Sequence, residues 1–383
     1  MDSPIIHWTE DGNALEARWR SLTDAPPPSR VVIANGNLSA DEAYGLAGQG
    51  TALLWRGDFP DARQMLSAMG HRADRALRKR RRSPASSTPN APELFHLYRQ
   101  AKSQRARTLN SLLIPLDEDY SIPLRRAPDV REACVEAFGP AGTASVTSLR
   151  ALLGAIGAHE WRLKGIDVPA AGGRVHPHFG VFGPIRSEYV DLVATAPLPP
   201  RCGPSSVAFD IGTGTGVLAA VLARRGLKRV VATDLDPRAL ACARENVQRL
   251  GLSERVNVVQ AHLFPEGRAA LVVCNPPWIP ARPNSPMENG IYDPDSRMLR
   301  GFLAALPPHL EPEGEGWLIL SDLAEHLGLR TRERLLEEFE TAGLRVVDRI
   351  DVRPTHPRAA DGADPLHAAR AAEITSLWRL AAR

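Results

Sequence analysis

Three glycines alternate with threonines in Gly212-Thr213-Gly214-Thr215-Gly216, directly after the apolar run Val207-Ala-Phe-Asp-Ile211. An acid, Asp210, stands two residues before the first glycine. About twenty residues past the turn a second apolar run, Val230-Val-Ala-Thr-Asp234, also ends in an acid. Dinucleotide-binding turns space their glycines Gly-x-Gly-x-x-Gly, so that a helix N-terminus meets a pyrophosphate. Here the third glycine comes one residue early, which suits a ligand with no phosphate to cradle. Glycine lets backbone approach closely because it lacks a Cβ and tolerates positive φ. Such a turn fits the amino-acid and ribose parts of S-adenosylmethionine (SAM). Asp210 is placed to help hold the methionine ammonium, directly or through water, and Asp234 to accept both ribose hydroxyls.

A second constellation, Asn275-Pro276-Pro277-Trp278, closes the apolar run at 270–274. Its chemistry suits a planar nitrogen, whose lone pair is delocalised and weakly nucleophilic. The Asn275 side-chain carbonyl and the Pro276 backbone carbonyl can accept the two N–H groups of an amide or exocyclic amine. Those bonds favour a pyramidal nitrogen with its lone pair aimed at a methyl donor, so position and electrostatics do the catalysis and no dedicated base is required. The prolines stiffen the loop before substrate arrives, and Trp278 offers a flat face for stacking.

The elements that must hold these residues follow a strand–helix alternation, which predicts a doubly wound α/β sheet. Strands are expected near 207–210, 229–233, 256–260, 270–274, 316–321, 344–352 and 373–381. Asp236-Pro237 is a cap followed by proline at the first helical position, and that helix stops at Gly251. A later helix, 330–342, also ends at a glycine, and the polar insert at 353–370 reads as a loop. The first half is sparser. Strands at 30–35 and 52–55 and helices at 41–47 and 61–69 make an incomplete α/β unit without a glycine turn. The stretch 83–92 is a linker by composition, and 93–153 reads as mainly helical.

The chain from about 160 to 383 resembles the class I SAM-dependent methyltransferases, in the branch with an Asn-Pro-Pro-aromatic motif. That branch includes ribosomal-RNA guanine, adenine-N6 and release-factor glutamine methyltransferases. The resemblance implies a seven-stranded Rossmann-like domain over 159–383, preceded by a substrate-recognition region over 1–158. It implies SAM contacts at Asp210, Gly212, Gly214, Gly216 and Asp234, and catalytic roles for Asn275, Pro276, Pro277 and Trp278. The segment Gly180-Val-Phe-Gly-Pro-Ile-Arg-Ser-Glu-Tyr-Val190 is similar to the lead-in that borders the cofactor pocket in these families. After the third strand the families often place an Asp or Asn on the adenine amino group. This chain has Ala261-His262-Leu263-Phe264, which leaves His262 as the candidate there, through a ring nitrogen.

At 383 residues the chain can build two cores. Its 43% hydrophobic and 24% charged residues suit a soluble globular protein. No apolar run reaches the ~18–20 residues that a membrane span needs. Four scattered cysteines, Cys134, Cys202, Cys242 and Cys274, form no Cys-x-x-Cys pair and read as reduced thiols of a cytoplasmic protein. His176-Pro-His178 has no second ligand cluster and reads as a loop or hairpin element. The net charge is only +3, yet residues 71–110 carry eleven Lys or Arg against two acids, Asp74 and Glu93, a local charge of +9. Within this tract Arg78, Lys79, Arg80, Arg81 and Arg82 are consecutive, and Arg99, Lys102, Arg105 and Arg107 follow at helical spacing. Such a tract favours a polyanion. The leading expectation is therefore methylation of an exocyclic amine in structured RNA, ribosomal RNA above all. A protein glutamine amide is the alternative, and a small-molecule acceptor a third. Met287-Glu-Asn-Gly-Ile-Tyr-Asp293 is loosely similar to a segment of the glutamine enzymes, though it lacks their paired glycines.

Overall fold

The computed structural model describes residues 4–23, 25–82, 89–284, 288–355, 361–362 and 364–383. The chain divides into two compact units, Met1–Glu160 and Trp161–Arg383. Among the described residues no helix is long and apolar enough to cross a membrane.

The first unit opens with a hairpin, β1 (Ile5–Glu10) and β2 (Asn13–Arg20). Its turn, Asp11-Gly12, has φ of 49° and 78°, as the two-residue primed turns require. Then come β3 (Val31–Ala34), α1 (Ala40–Gly48), β4 (Ala52–Trp55), α2 (Phe59–Arg82), α3 (Ala91–Leu109), β5 (Leu112–Leu116), α4 (Arg131–Phe138), β6 (Ser145–Ser148) and α5 (Leu149–Lys164). The strands form one six-stranded mixed sheet in the order β1-β2-β6-β5-β4-β3. The α/β unit that looks incomplete in sequence is therefore completed. The correction falls on 93–153, which is not mainly helical but contains β5 and β6. Each has only four or five residues, and β5 is buried almost throughout and β6 wholly. Neither shows the period-2 alternation that marks a half-buried strand. The polar members of β6 are satisfied locally, since Thr147 Oγ1 donates to the Arg20 carbonyl at 2.9 Å.

The basic tract is the end of α2. Asn90 caps α3, its side chain accepting the Glu93 N–H while Glu93 accepts the Asn90 N–H. Of the linker, 83–88 lie outside the described residues, as do the side chains of Arg80, Arg81 and Arg82.

The second unit begins with a small hairpin, β7 (Ile166–Val168) and β8 (Gly173–Val175), then α6 (Glu188–Thr195). Its main sheet is built from β9 (Val207–Ile211), α7 (Val217–Arg224), β10 (Arg229–Asp234), α8 (Pro237–Arg249), β11 (Val256–Gln260), β12 (Ala269–Cys274), α9 (Arg297–His309), β13 (Leu310–Ser321), α10 (Leu323–His326), α11 (Arg332–Thr341), β14 (Leu344–Val352), α12 (His367–Ala372) and β15 (Thr375–Ala382). Seven strands lie in the order β11-β10-β9-β12-β13-β15-β14. β9 to β13 run parallel, and β15 is antiparallel to both β13 and β14. One face is covered by α6, α7 and α8, and the other by α9 and α11. This is the doubly wound architecture that the strand–helix alternation predicts. The 353–370 insert is not all loop, because α12 starts at His367; residues 356–360 and 363 lie outside the described ones.

Local chemistry explains the helix limits. Asp236 accepts the Arg238 N–H at 2.8 Å ahead of Pro237, and α8 is followed by Gly251 at φ 67°. Seven of the eight residues of α7 are buried. Such all-round apolarity marks a helix packed on every side. Strand order reverses between β9 and β12. In an open α/β sheet the crevice at such a switch point, beyond the carboxyl ends of the strands, is where ligands bind.

Candidate functional site

Both sequence motifs emerge at that crevice. Cys274 and Ile211 are register partners in neighbouring parallel strands. Asn275 and Gly212 therefore leave the sheet side by side, about one strand spacing (~4.8 Å) apart. The glycine turn needs its glycines: Gly212, Gly214 and Gly216 have φ of 71°, 54° and 82°. A Cβ on Gly216 would also stand 3.2 Å from the Ala243 Cα of α8. Gly216 occupies the N-cap of α7 and offers no side chain, so Asp210 does the capping from within β9. Its Oδ2 accepts the Ala219 N–H at 2.9 Å and the Thr213 hydroxyl at 2.6 Å.

Two features would let this cradle hold SAM. Nothing stands within 4 Å of where a Gly214 Cβ would be, so the turn presents open backbone. The half-buried Asp234 is aimed by its own backbone contacts. Its Oδ2 accepts the Gly214 N–H and its Oδ1 the Asp236 N–H, each at 3.0 Å. A carboxylate oxygen has a second lone pair, so both can still accept a ribose hydroxyl. His262 is exposed on the loop after β11. That loop is pinned by the Thr233 hydroxyl on the Leu263 carbonyl at 2.5 Å and by Phe264 stacked on Phe302 and His309.

Asp210 is 1% exposed. Burial pushes its carboxyl up to about 6, against the downward pull of the Thr213 and Ala219 hydrogen bonds, and the charge of Asp234 adds to the rise. A folded-state value above the ordinary 3.8 means that the folded protein holds a proton there which the unfolded chain releases. The stability linked to this group is therefore fully present below about pH 4 and lost as pH rises through about 6. A cationic ligand favours the ionised form, so SAM affinity should climb as pH rises through about 6, with proton release below that point. Calorimetry in buffers of different ionisation enthalpy measures both. A flat pH profile, or one that Asp210→Asn leaves unchanged, would remove Asp210 from cofactor binding.

On the other side of the crevice β12 is buried throughout, and Asn275 is the first residue to escape it. Its Oδ1 accepts the Trp278 indole N–H at 2.9 Å. Beyond Trp278 the chain pairs with the segment leading into α9: the Ile279 N–H donates to the Ile291 carbonyl at 3.1 Å and the Asp293 N–H to the Ile279 carbonyl at 2.9 Å. Asp293, 5% exposed, caps α9 by accepting the Met298 and Leu299 N–H groups at 3.1 Å each. Asn275, Pro276 and Trp278 line a pocket of about 320 Å³, with Phe182, Ile185 and Ile291 exposed beside it. Pro277 is half-buried in the same loop.

Sequence spacing leaves several participants hidden. Arg186 lies over the Trp278 ring, 4.9 Å from its centroid. It is held by Glu188 (2.6 Å) and Glu373 (3.0 Å). Asn246, in mid-helix, ties the glycine turn to the segment at 176–178: its Nδ2 donates to the Thr215 carbonyl at 3.0 Å and its Oδ1 accepts the His176 N–H at 2.8 Å. The two histidines of that segment are similarly engaged, His176 Nδ1 with the Arg162 carbonyl and His178 Nε2 with Glu245, both at 2.6 Å. No spacing rule flags these residues, since apart from Glu188, two residues from Arg186, their partners come from distant parts of the sequence.

A doubly wound sheet with a glycine turn and a second-strand acid at its switch point defines an α/β domain of the kind that binds nucleoside cofactors. The family profile of ribosomal protein L11 methyltransferase (PrmA) matches residues 201–280, a span that includes both motifs. The ribosomal protein L11 methyltransferase of Pelotomaculum thermopropionicum is 50% identical over 74 residues, 19% of this chain and 24% of its own. The release factor glutamine methyltransferase of Cereibacter sphaeroides is 32% identical over 182 residues, 44% of this chain and 60% of its own. The tRNA1(Val) (adenine(37)-N6)-methyltransferase of Shewanella amazonensis is 30% identical over 173 residues, 41% of this chain and 72% of its own. The chain thus spans a quarter to three-fifths of the length of the first two relatives. It belongs to the class I SAM-dependent methyltransferases.

Proposed function

We propose that the protein methylates a planar exocyclic nitrogen and that the acceptor is structured RNA. The observation that carries the nitrogen reading is the Asn275 carbonyl, held by the Trp278 indole N–H at the wall of the pocket. An amide oxygen has two lone pairs, and the indole takes one. The other can accept an N–H of the acceptor while the Pro276 carbonyl accepts the second. These two bonds draw the nitrogen out of conjugation and hold its lone pair in one direction. When bound, SAM supplies an electrophilic methyl group on a sulfonium. Asp234 and the glycine turn would hold the ribose and amino-acid parts.

The RNA reading rests on the first unit. Asp41 and Asp74 pair with Arg72 and Arg105 at 2.5 and 2.6 Å, while Arg75, Arg78 and Lys79 stand exposed on α2. If this end of α2 meets phosphates, log K for structured RNA should fall with log[salt] by about 0.7–0.9 per phosphate neutralised. Replacing Arg78 and Arg80 to Arg82 by Ser should flatten that slope by a few units and raise KM for RNA, with little change in kcat.

A second reading, methylation of a glutamine side-chain amide in a protein, is favoured by the 182-residue match to the release factor enzyme. Labelled SAM incubated with separated RNA, protein and small-molecule fractions distinguishes the readings. Methyl incorporation into protein that ignores added RNA and the quadruple substitution would sink the RNA assignment and leave the nitrogen chemistry standing.

A further inference from the structure

We propose that Trp278 is not a stacking surface for the acceptor but one part of a positioning device, with Arg186, that aims the Asn275 carbonyl. The inference rests on the reading that Asn275 accepts an acceptor N–H.

Asn275, Trp278, Arg186 and two carboxylates are linked in series. An indole N–H can only donate, so the 2.9 Å bond from Trp278 Nε1 to Asn275 requires the amide oxygen, not its nitrogen, on that side. The indole therefore sets the flip and plane of the Asn275 amide. One face of the Trp278 ring is taken by the Arg186 guanidinium at 4.9 Å, and the ring otherwise packs against the apolar cores of the domain. A planar acceptor stacking where Arg186 lies would have to displace it. Arg186 is in turn held in place. Its Nε donates to Glu188 Oε1 at 2.6 Å and its Nη2 to Glu373 Oε1 at 3.0 Å, and the Ser321 hydroxyl donates to the same Glu373 oxygen at 2.6 Å. Both carboxylates are only 5% exposed.

Two carboxylates surround the one guanidinium of Arg186, and Arg370, which lines the same pocket, is paired with Asp364 at 2.8 Å. This cluster is therefore ill suited to bind a phosphate, although it borders the acceptor pocket. What it can do is immobilise a flat cation against an aromatic face, a contact that gains strength when desolvated. The order of action runs from the buried carboxylates to Arg186, then to Trp278, then to Asn275. Arg186 and Trp278 are positioning residues, and Asn275 alone of the three meets the acceptor.

Two conservative variants separate this role from packing. Trp278→Phe keeps a ring beneath Arg186 and removes the N–H. Arg186→Lys keeps a charge between the carboxylates and removes the planar face. The probe is methyl transfer from labelled SAM to total RNA and total protein from a strain lacking the gene. Trp278→Phe should lower kcat about tenfold, the scale of one misdirected hydrogen bond, with KM for the acceptor and Kd for SAM within about threefold. In the double variant kcat should be no lower than in Trp278→Phe alone, because residues acting through one path are not additive. Protein labelled with 15N in its seven tryptophans gives a readout that needs no acceptor. The indole signal that disappears in Trp278→Phe should exchange its hydrogen at least several-fold faster in Arg186→Lys. Full kcat in Trp278→Phe combined with a raised KM in Trp278→Ala would restore the stacking role and overturn the proposal, as would additive losses in the double variant. Activity retained in Asn275→Ala would instead overturn the nitrogen reading beneath it.

Discussion

Asn275→Ala should cut kcat by a hundredfold or more, the scale for removing one group that hydrogen-bonds the transition state, while SAM affinity stays within a few-fold. Two features separate the effects. Asn275 is half-buried at the mouth of the pocket, past the last residue of β12, so truncation leaves no void in the core. Its register neighbour across the crevice is the backbone of the glycine turn, held independently by Asp210 and Asp234. The substitution does free the Trp278 N–H, a half-buried donor that water can satisfy, and should cost little stability. Single-turnover methyl transfer and calorimetry with SAM, run on the same preparation, check both halves. A parallel loss of SAM affinity would mean that Asn275 serves the cofactor cradle. Full activity would exclude its carbonyl from the chemistry.

The half of the fold that carries chemistry is the half that is legible. Parallel strands buried on both faces read as continuous apolar runs, and punctuation by Asp236-Pro237, Gly251 and Gly343 marks where helices begin and end. The first unit resists because its signals are weak for physical reasons. β2 is exposed along its first four residues, so alternation is faint even though Asp11-Gly12 is a strong hairpin turn. β6 is Ser-Val-Thr-Ser, four buried residues of which three are polar, and composition alone reads it as a loop. Within the site, types and spacing point to residues whose backbone position matters: the glycines, Asp234 and Asn275. They are silent on side chains that act through space. Arg186 reaches Trp278 from the segment ahead of α6, several strands and helices earlier in the chain, and the bracing Glu373 comes just ahead of the last strand. Asp210 illustrates a subtler gap. Its place before the glycines marks it as a cofactor contact, yet within the fold its Oδ2 is engaged in closing the turn and capping α7.

That double duty of acids sharpens the expectation for Asp234. Asp234→Ala should weaken SAM by roughly 1.5–3 kcal/mol, the range for hydrogen bonds to a charged group, which is about a 10- to 150-fold rise in Kd. The same carboxylate anchors the Gly214 and Asp236 N–H groups, so part of the loss could come from a loosened turn and not from the ribose. Asp234→Asn does not separate the two, because its amide nitrogen can accept neither the backbone N–H on its side nor the ribose hydroxyl there. S-adenosylhomocysteine shares the ribose and should lose affinity by the same factor as SAM, because the sulfonium charge plays no part in these bonds. A 2′-deoxy analogue of S-adenosylhomocysteine completes a double-mutant cycle. If Asp234 binds the hydroxyls, Asp234→Ala should weaken the deoxy analogue much less than the parent. An equal loss for both would assign the effect to the turn, and the ribose contact would have to be sought elsewhere at the carboxyl ends of β10 and β11.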